Sequence, residues 1–151
     1  MRLEEEIHQK KFKNEYEKAL INILFTGNWL NSINTRFLKK YNLSVPQYNV
    51  LRILRGQHPK PIALHNIQAR MLDRMSNASR LVDKLKNREP ALVERKESQD
   101  DRRRVDIWVT PQGLEMLDII DQEFGELYQY LDRISEEEAR ELNRILDKLR
   151  G

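Results

Sequence analysis

The most informative segment of this chain is Ser98-Gln-Asp-Asp-Arg-Arg-Arg-Val-Asp-Ile-Trp-Val-Thr110. It follows Leu92-Val-Glu-Arg-Lys96 and precedes Pro111-Gln-Gly-Leu-Glu-Met-Leu117. Apolar and polar residues alternate with a period of two towards both ends of this region, which predicts two short β-strands. The apolar positions of these strands are Leu92, Val93, Val105, Ile107 and Val109.

The segment between the two predicted strands is too polar to bury. It carries two aspartates and three consecutive arginines: Asp100, Asp101, Arg102, Arg103 and Arg104. A cationic tip on a small hairpin beside a pair of helices suits a phosphate backbone or a narrow minor groove. The alternative is a solvated turn that is charged without binding anything. The segments that flank the hairpin favour the nucleic-acid interpretation.

Size and composition bound the class of protein. A length of 151 residues predicts one domain, with or without an additional oligomerisation layer. With 39% hydrophobic and 34% charged residues, the chain is polar for a self-sufficient globule. Long amphipathic helices with wide solvated faces fit this composition, and so does a core that a second copy completes.

Several classes of site and location are disfavoured. No run of about 18 apolar residues is present, so we expect no membrane span and no membrane partner. The first residues, Met-Arg-Leu-Glu-Glu-Glu, do not resemble a signal peptide, and we expect a cytoplasmic protein. Without cysteine the chain has no disulfide, no Cys-ligated metal and no thiol switch.

Charge is distributed unevenly along the chain. Residues 111–151 carry 11 Asp/Glu against 5 Lys/Arg, a net charge of −6, within an overall charge of +3. Residues 1–110 therefore carry a net charge of +9. A basic body with an acidic helical tail suggests that the body meets a polyanion.

Apolar periodicity predicts helices on both sides of the hairpin. Residues 7–40 form a long helix candidate in which Gly27 is a weak point. Ser44-Val-Pro-Gln47 reads as a capping box for a helix that stops near Gly56. Thr110 and Pro111 predict the start of the helix after the hairpin, and Ser135-Glu-Glu-Glu138 predicts the cap of the last helix.

Two short helices are predicted just before the hairpin. The first covers residues 63–72, the turn covers 73–75, and the second helix covers 76–88, with Asp73 or Ser76 as its cap. A helix pair followed by a hairpin is a winged helix-turn-helix, in which the second helix lies in the major groove.

The second helix of this pair has a polar face suited to DNA. Leu81, Val82 and Leu85 point inward at helical spacing. The outward or flanking residues are Ser76, Asn77, Ser79, Arg80 and Lys84. Asn and Arg can read base edges, whereas Ser and Lys mostly hold phosphates. The alternative is the polar face of an ordinary surface helix.

On these residues the chain resembles the MarR family of bacterial winged-helix transcriptional regulators. The matching motifs are Ser79-Arg-Leu-Val-Asp-Lys-Leu85, Leu92-Val-Glu-Arg95, and Asp101-Arg-Arg-Arg-Val-Asp-Ile-Trp-Val-Thr110 with Gly113. The resemblance spans nearly the whole chain and implies a mainly α fold with a small β wing, in one domain over residues 1–151. Residues 41–110 would form the winged helix-turn-helix lobe, and residues 1–40 and 111–151 the helical dimerisation layer.

The resemblance also implies roles for the wing. Arg103 would enter the minor groove, with Asp101 holding its guanidinium group. Arg102 and Arg104 would contact phosphates or solvent. The family is homodimeric and binds pseudo-palindromic double-stranded DNA, usually as a repressor.

Many relatives in this family bind a small effector between the dimer layer and the DNA lobes. Phe25, Trp29 and Tyr48 are the candidates for such a pocket, and a small aromatic or amphipathic molecule would be its ligand. Plain packing in the core is the alternative for these three residues.

The chain departs from the family pattern at two places. Arg88-Glu-Pro-Ala91 stands where the family usually has a Gly that ends the recognition helix. Met75 stands where a small polar residue is more usual.

No enzymatic constellation is visible in the sequence, so we expect neither an enzyme nor a cofactor. There is no Gly-rich phosphate loop and no His/Asp/Ser set, and His8, His58 and His65 are too scattered for a zinc site. The sequence therefore predicts a sequence-specific DNA-binding transcriptional regulator. The alternative is a helical protein-interaction module without specific DNA binding.

Overall fold

The computed structural model describes residues 1–97, 105–125 and 129–151. These fall into two compact units, Met1–Asn49 and Val50–Gly151. Among the described residues, no helix is long and apolar enough to cross a membrane.

The first unit contains α1 (Leu3–Glu6), α2 (Glu15–Lys39) and the start of α3 (Val45–Arg55). The predicted helix over residues 7–40 is wrong at its beginning, because the chain turns at His8, whose φ is +54°, and α2 starts only at Glu15. The Asn14 side chain caps α2 by accepting the Glu17 N–H at 3.0 Å. Gly27 does not interrupt α2.

The predicted capping box of α3 is confirmed. The Ser44 N–H donates to Gln47 Oε1 at 2.8 Å, and the Gln47 N–H donates to Ser44 Oγ at 3.3 Å. The helix ends at Arg55, directly before Gly56, as predicted.

Among its described residues, the second unit contains the end of α3 and a three-stranded antiparallel sheet with further helices. In chain order its elements are β1 (Ile62–Ala63), α4 (Leu64–Arg70), α5 (Ala78–Lys86), β2 (Val93–Glu97), β3 (Val105–Val109), α6 (Pro111–Glu123) and α7 (Glu136–Arg150). The order in the sheet is β1-β3-β2. Val93 pairs with Val109 and Glu97 with Val105, so the predicted hairpin strands are confirmed.

The helix pair is confirmed with shorter bounds than predicted. The sequence did not indicate β1, because two residues are too few to show an alternating pattern, yet Ile62 pairs with Ile107 of β3. The cap of α5 is Asn77, whose side chain accepts the Arg80 N–H at 3.0 Å, rather than Asp73 or Ser76.

The core of this unit lies between the helix pair, the sheet and α6. Its fully buried side chains include Ile67, Val82, Leu85, Leu92, Val93, Ile107, Leu117 and Ile120. The predicted inward positions Val82 and Leu85 are therefore confirmed, and Leu81 is half-buried. Burial of each such side chain stabilises the folded state by about 1.5–3 kcal/mol. These contacts fix α5 against the sheet.

Gly113 allows α6 to pass directly over the end of the hairpin. A Cβ at this position would overlap the Leu92 carbonyl oxygen and stand 2.8 Å from Val109 Cγ2. The Thr110 side chain, which caps α6, accepts the Gly113 N–H at 3.0 Å and donates to the Ala91 carbonyl at 2.7 Å. The predicted cap at Thr110 and Pro111 is confirmed, and the close approach explains why position 113 needs glycine.

We predict that Gly113→Ala lowers the free energy of unfolding by about 1–3 kcal/mol, because backbone must move to admit the methyl group. Chemical denaturation with a fluorescence readout measures the change. Gly27→Ala is the matched control, since nothing lies within 4 Å of the added Cβ in α2. This control gains up to about 1 kcal/mol from helix propensity. Equal stability of the two variants would contradict the steric argument.

Candidate nucleic-acid interface

The polar face of α5 presents the residues that the sequence singled out. Asn77, Arg80 and Lys84 are exposed, whereas Ser76 and Ser79 are half-buried at its edge. The opposite face is anchored by the buried Ala78, Val82 and Leu85. Ser79, Arg80 and Lys84 lie on α5, Asn77 is its N-cap and Ser76 precedes the cap, while the apolar side holds the helix in place.

Asn77 has a structural role in addition to its predicted contact with DNA. Its Oδ1 accepts the Arg80 N–H at 3.0 Å as the N-cap of α5. Bidentate pairing of asparagine with adenine uses both the amide oxygen and the amide nitrogen. The cap bond uses one lone pair of Oδ1, so a bidentate contact would have to use the other lone pair together with the amide nitrogen.

Gln68 of α4 clamps the turn that leads into α5. Its Nε2 donates to the carbonyls of Arg74, at 3.2 Å, and Ser76, at 2.7 Å. Its Oε1 accepts the Ala78 N–H at 2.9 Å. One amide thus satisfies three backbone groups, which fixes α5 relative to α4. The sequence did not indicate this role of Gln68, because no local pattern marks a side chain that bonds to a residue ten positions away.

Asp73 organises the same turn from within. One carboxylate oxygen accepts the Met75 N–H at 3.0 Å and the other accepts the Ser76 hydroxyl at 2.7 Å. The Ser76 hydroxyl, followed by the Met75 N–H, lowers the pKa of Asp73 below its usual 3.8. The turn therefore keeps a charged Asp73 at neutral pH, and it loses this support only as the pH falls through the lowered pKa. Ser76 donates its single hydroxyl hydrogen within the turn.

Arg95 of β2 links the hairpin to the middle of α5. Its Nη1 donates to Asp83 Oδ1 at 2.7 Å and to Ser79 Oγ at 3.2 Å. Since the Ser79 hydroxyl accepts this bond, its hydrogen remains available to a phosphate oxygen. Arg95 belongs to the quoted Leu92-Val-Glu-Arg95 motif, but the sequence analysis assigned it no role.

The hairpin positions the ends of the predicted wing. β2 and β3 pair in register up to Glu97 and Val105. Lys96 Nζ lies 5.8 Å from the centre of the Trp108 ring, next to Glu94 at 2.9 Å. Asp101, Arg102, Arg103 and Arg104, the predicted tip, lie outside the described residues.

The remaining predicted residues are placed in the first unit. Phe25 and Trp29 are half-buried on α2, and Tyr48 is buried on α3. Their role as an effector pocket stays a prediction. Over the described ranges, no group of three or more His, Asp or Glu residues is placed to hold a metal ion.

No family model matches the chain. A curated relative, the HTH-type transcriptional repressor IacR of Pseudomonas putida, is 29% identical over 131 residues, which cover 82% of this chain and 76% of the relative. A MarR transcription factor from Planctomyces limnophilus is 27% identical, with a TM-score of 0.69, over 91% of this chain and 98% of that structure. The chain is thus similar in sequence and fold to MarR-family regulators.

MepR of S. aureus, solved as a DNA complex, has the same fold as this chain. It is 20% identical, with a TM-score of 0.75, over 92% of this chain and 97% of that structure.

The segment around Pro90, where the chain departs from the pattern it resembles, forms a closed turn. α5 ends at Lys86, and the Asn87 N–H donates to the Asp83 carbonyl at 3.0 Å. The Leu92 N–H then donates to the Leu85 carbonyl at 3.1 Å, which returns the chain to the core without a glycine.

We predict that Gln68→Ala lowers the free energy of unfolding by about 1–3 kcal/mol, because the part-buried Ala78 N–H and Ser76 carbonyl lose their partner. Hydrogen exchange should also quicken selectively at the start of α5. Gln122→Ala, at an exposed position of α6, is the matched control and should change neither quantity. Unchanged exchange at Ala78 in the Gln68 variant would refute the clamp.

Proposed function

We propose that this protein is a transcriptional regulator that binds specific double-stranded DNA as a homodimer and acts as a repressor. The observation that carries the proposal is that side chains from two other elements fix the position of α5. Its exposed Asn77, Arg80 and Lys84 stand on a helix that Gln68 and Arg95 hold from two different elements. A rigid helix with a polar outer face is what major-groove recognition requires.

Charge and relatives support this proposal. Residues 1–110 carry a net charge of +9, which favours approach to phosphate. One relative is named as a transcriptional repressor, and another was solved in complex with DNA.

The proposed contacts with DNA are of two kinds: some recognise bases, and others bind phosphates and position the protein. Arg80 reads a base edge, and Lys84 and Ser79 hold phosphates beside it. Ser76 supports the turn and lies at the edge of the same face. At the wing, Arg103 enters the minor groove with Asp101 orienting it, and Arg102 and Arg104 meet phosphate or solvent.

A second copy of the chain covers the apolar faces of the terminal helices. α7 has no buried residue, although Leu142, Ile145 and Leu149 share one of its faces and are 49–66% exposed. On α2, Leu20 and Leu24 are similarly exposed. Amphipathic helices of this kind are stable when a partner buries their apolar stripe. The terminal segments 1–40 and 111–151 therefore form the dimerisation layer, and 41–110 the DNA-binding lobe.

The remaining parts of the proposal concern regulation and place of action. A small aromatic or amphipathic effector binds near Phe25, Trp29 and Tyr48 and relieves repression. The protein works in the cytoplasm on duplex DNA and catalyses no reaction, in keeping with relatives that are named as transcription regulators.

We expect Arg80→Ala to weaken binding to a duplex selected from a random pool by about 1–3 kcal/mol, and to weaken binding to random duplex less. Arg140→Ala is the charge-matched control on α7 and should leave both affinities unchanged. Fluorescence anisotropy over a series of salt concentrations measures both affinities.

Two results would count against this account. Equal losses on selected and random duplex would reassign Arg80 to the phosphate backbone. A wild-type protein with no steep salt dependence and no selected sequence would be an interaction module instead.

We expect Leu142→Glu to convert the dimer to a monomer, because it places a charge in the apolar stripe of α7. DNA affinity should fall with it, since a two-fold site needs two reading helices at fixed spacing. Sedimentation measures the mass, against 18.1 kDa for one chain. Arg140→Glu is the control, a larger charge change on the opposite face of α7. A wild-type mass of 18.1 kDa at micromolar concentration would disprove the dimer.

A further inference from the structure

The turn between α4 and α5 exposes a large apolar side chain beside the reading helix. Met75 is 92% exposed, two residues before the cap of α5. Leu72, in the same turn, is 82% exposed. Single exposed apolar residues are common on protein surfaces, so exposure alone assigns no role. The surroundings of Met75 set it apart from Leu72.

Met75 shares a concave surface with the polar residues of the proposed interface. A depression of about 510 Å³ lies between α4 and the start of α5, and Met75, Asn77 and Ser79 line it together with His65 and Gln68. Leu72 is not one of its lining residues. Met75 and Asn77 therefore face the same depression.

The backbone on both sides of Met75 is held in place. Its own N–H donates to Asp73 at 3.0 Å, the preceding carbonyl of Arg74 accepts from Gln68 at 3.2 Å, and the following carbonyl of Ser76 accepts from Gln68 at 2.7 Å. The side chain is flexible, but it projects from a fixed point. Methionine in such a position adapts its shape to a small apolar group at little cost.

The partner of this side chain follows from the charge around it. Arg80 and Lys84 are exposed on the adjoining helix, and Arg74 lines the same depression, so the region favours a polyanion. In the major groove of DNA, the apolar group on a base edge is the C5-methyl of thymine.

We propose that Met75 contacts a thymine C5-methyl group in the major groove and sets a preference for thymine at one position of each half-site. This inference rests on the proposed function and assigns part of its sequence specificity to an apolar contact. Asn77 and Arg80 then recognise neighbouring bases through hydrogen bonds, and Met75 contacts the thymine methyl group.

The test removes the methyl group from the DNA and the thioether from the protein. Each thymine in a half-site of the selected duplex is replaced in turn by deoxyuridine, which lacks only the C5-methyl. Wild-type affinity should fall by about three- to tenfold at one position, the loss expected from exposing a methyl-sized apolar contact. Met75→Ala should lose a similar factor on the thymine duplex and show no further loss with deoxyuridine at that position.

Two further variants isolate the contact. Met75→Leu keeps an apolar side chain and should retain sensitivity to deoxyuridine. Leu72→Ala removes an equally exposed apolar side chain outside the depression and should behave as wild type.

The possible failures are distinguishable. If wild type selects a duplex but no thymine position responds, or if Met75→Ala keeps the wild-type response, the inference is overturned and the proposed function stands. If wild type selects no duplex at all, the proposed function and the inference fall together.

Discussion

The backbone of Leu92 holds α5, the β2–β3 hairpin and α6 together. Its N–H donates to the Leu85 carbonyl at the end of α5, and its carbonyl accepts the Thr110 N–H at the end of β3. The same carbonyl lies where a Cβ of residue 113 would be, so α6 can cross there only with glycine. The backbone of this one residue thus bonds to α5 and to the end of β3, and it lies against α6. Any shift at Leu92 would move all three.

Side-chain hydrogen bonds then refine the position of α5. Gln68 holds its beginning through backbone groups, and Arg95 holds its middle through Asp83 and Ser79. These bonds differ in kind. The Gln68 amide meets part-buried peptide groups whose loss is costly, whereas the Arg95 pair is partly open to water and contributes geometry more than stability.

Local signals in the sequence predicted much of the fold. Ser44 with Gln47, Thr110 with Pro111, and Ser135 with Glu138 each form the expected cap, because a capping bond involves residues only three apart. The inward and outward faces of α5 follow from helical spacing.

The features that could not be predicted, the exact start of α5 and strand β1, depend on contacts between residues far apart in the sequence. Asp73, Ser76 and Asn77 are all residue types that can cap a helix. The helix begins after Asn77, where Gln68 of α4 also bonds to the Ala78 N–H, and this tertiary contact cannot be read from local sequence. Strand β1 exists only because β3 lies beside it. The arginines of the predicted tip, from Arg102 to Arg104, lie outside the described residues.

The order β1-β3-β2 also determines which strands are at the edges of the sheet and could pair with a strand of another chain. β1 and β2 are its outer strands, and outer strands carry peptide groups that can recruit a further strand. β1 is two residues long and follows Pro61, which has no N–H to offer. β2 carries the exposed charges of Glu94, Lys96 and Glu97. Both edges are therefore poor templates for pairing with a strand of another chain. The sheet edges thus disfavour aggregation by strand addition.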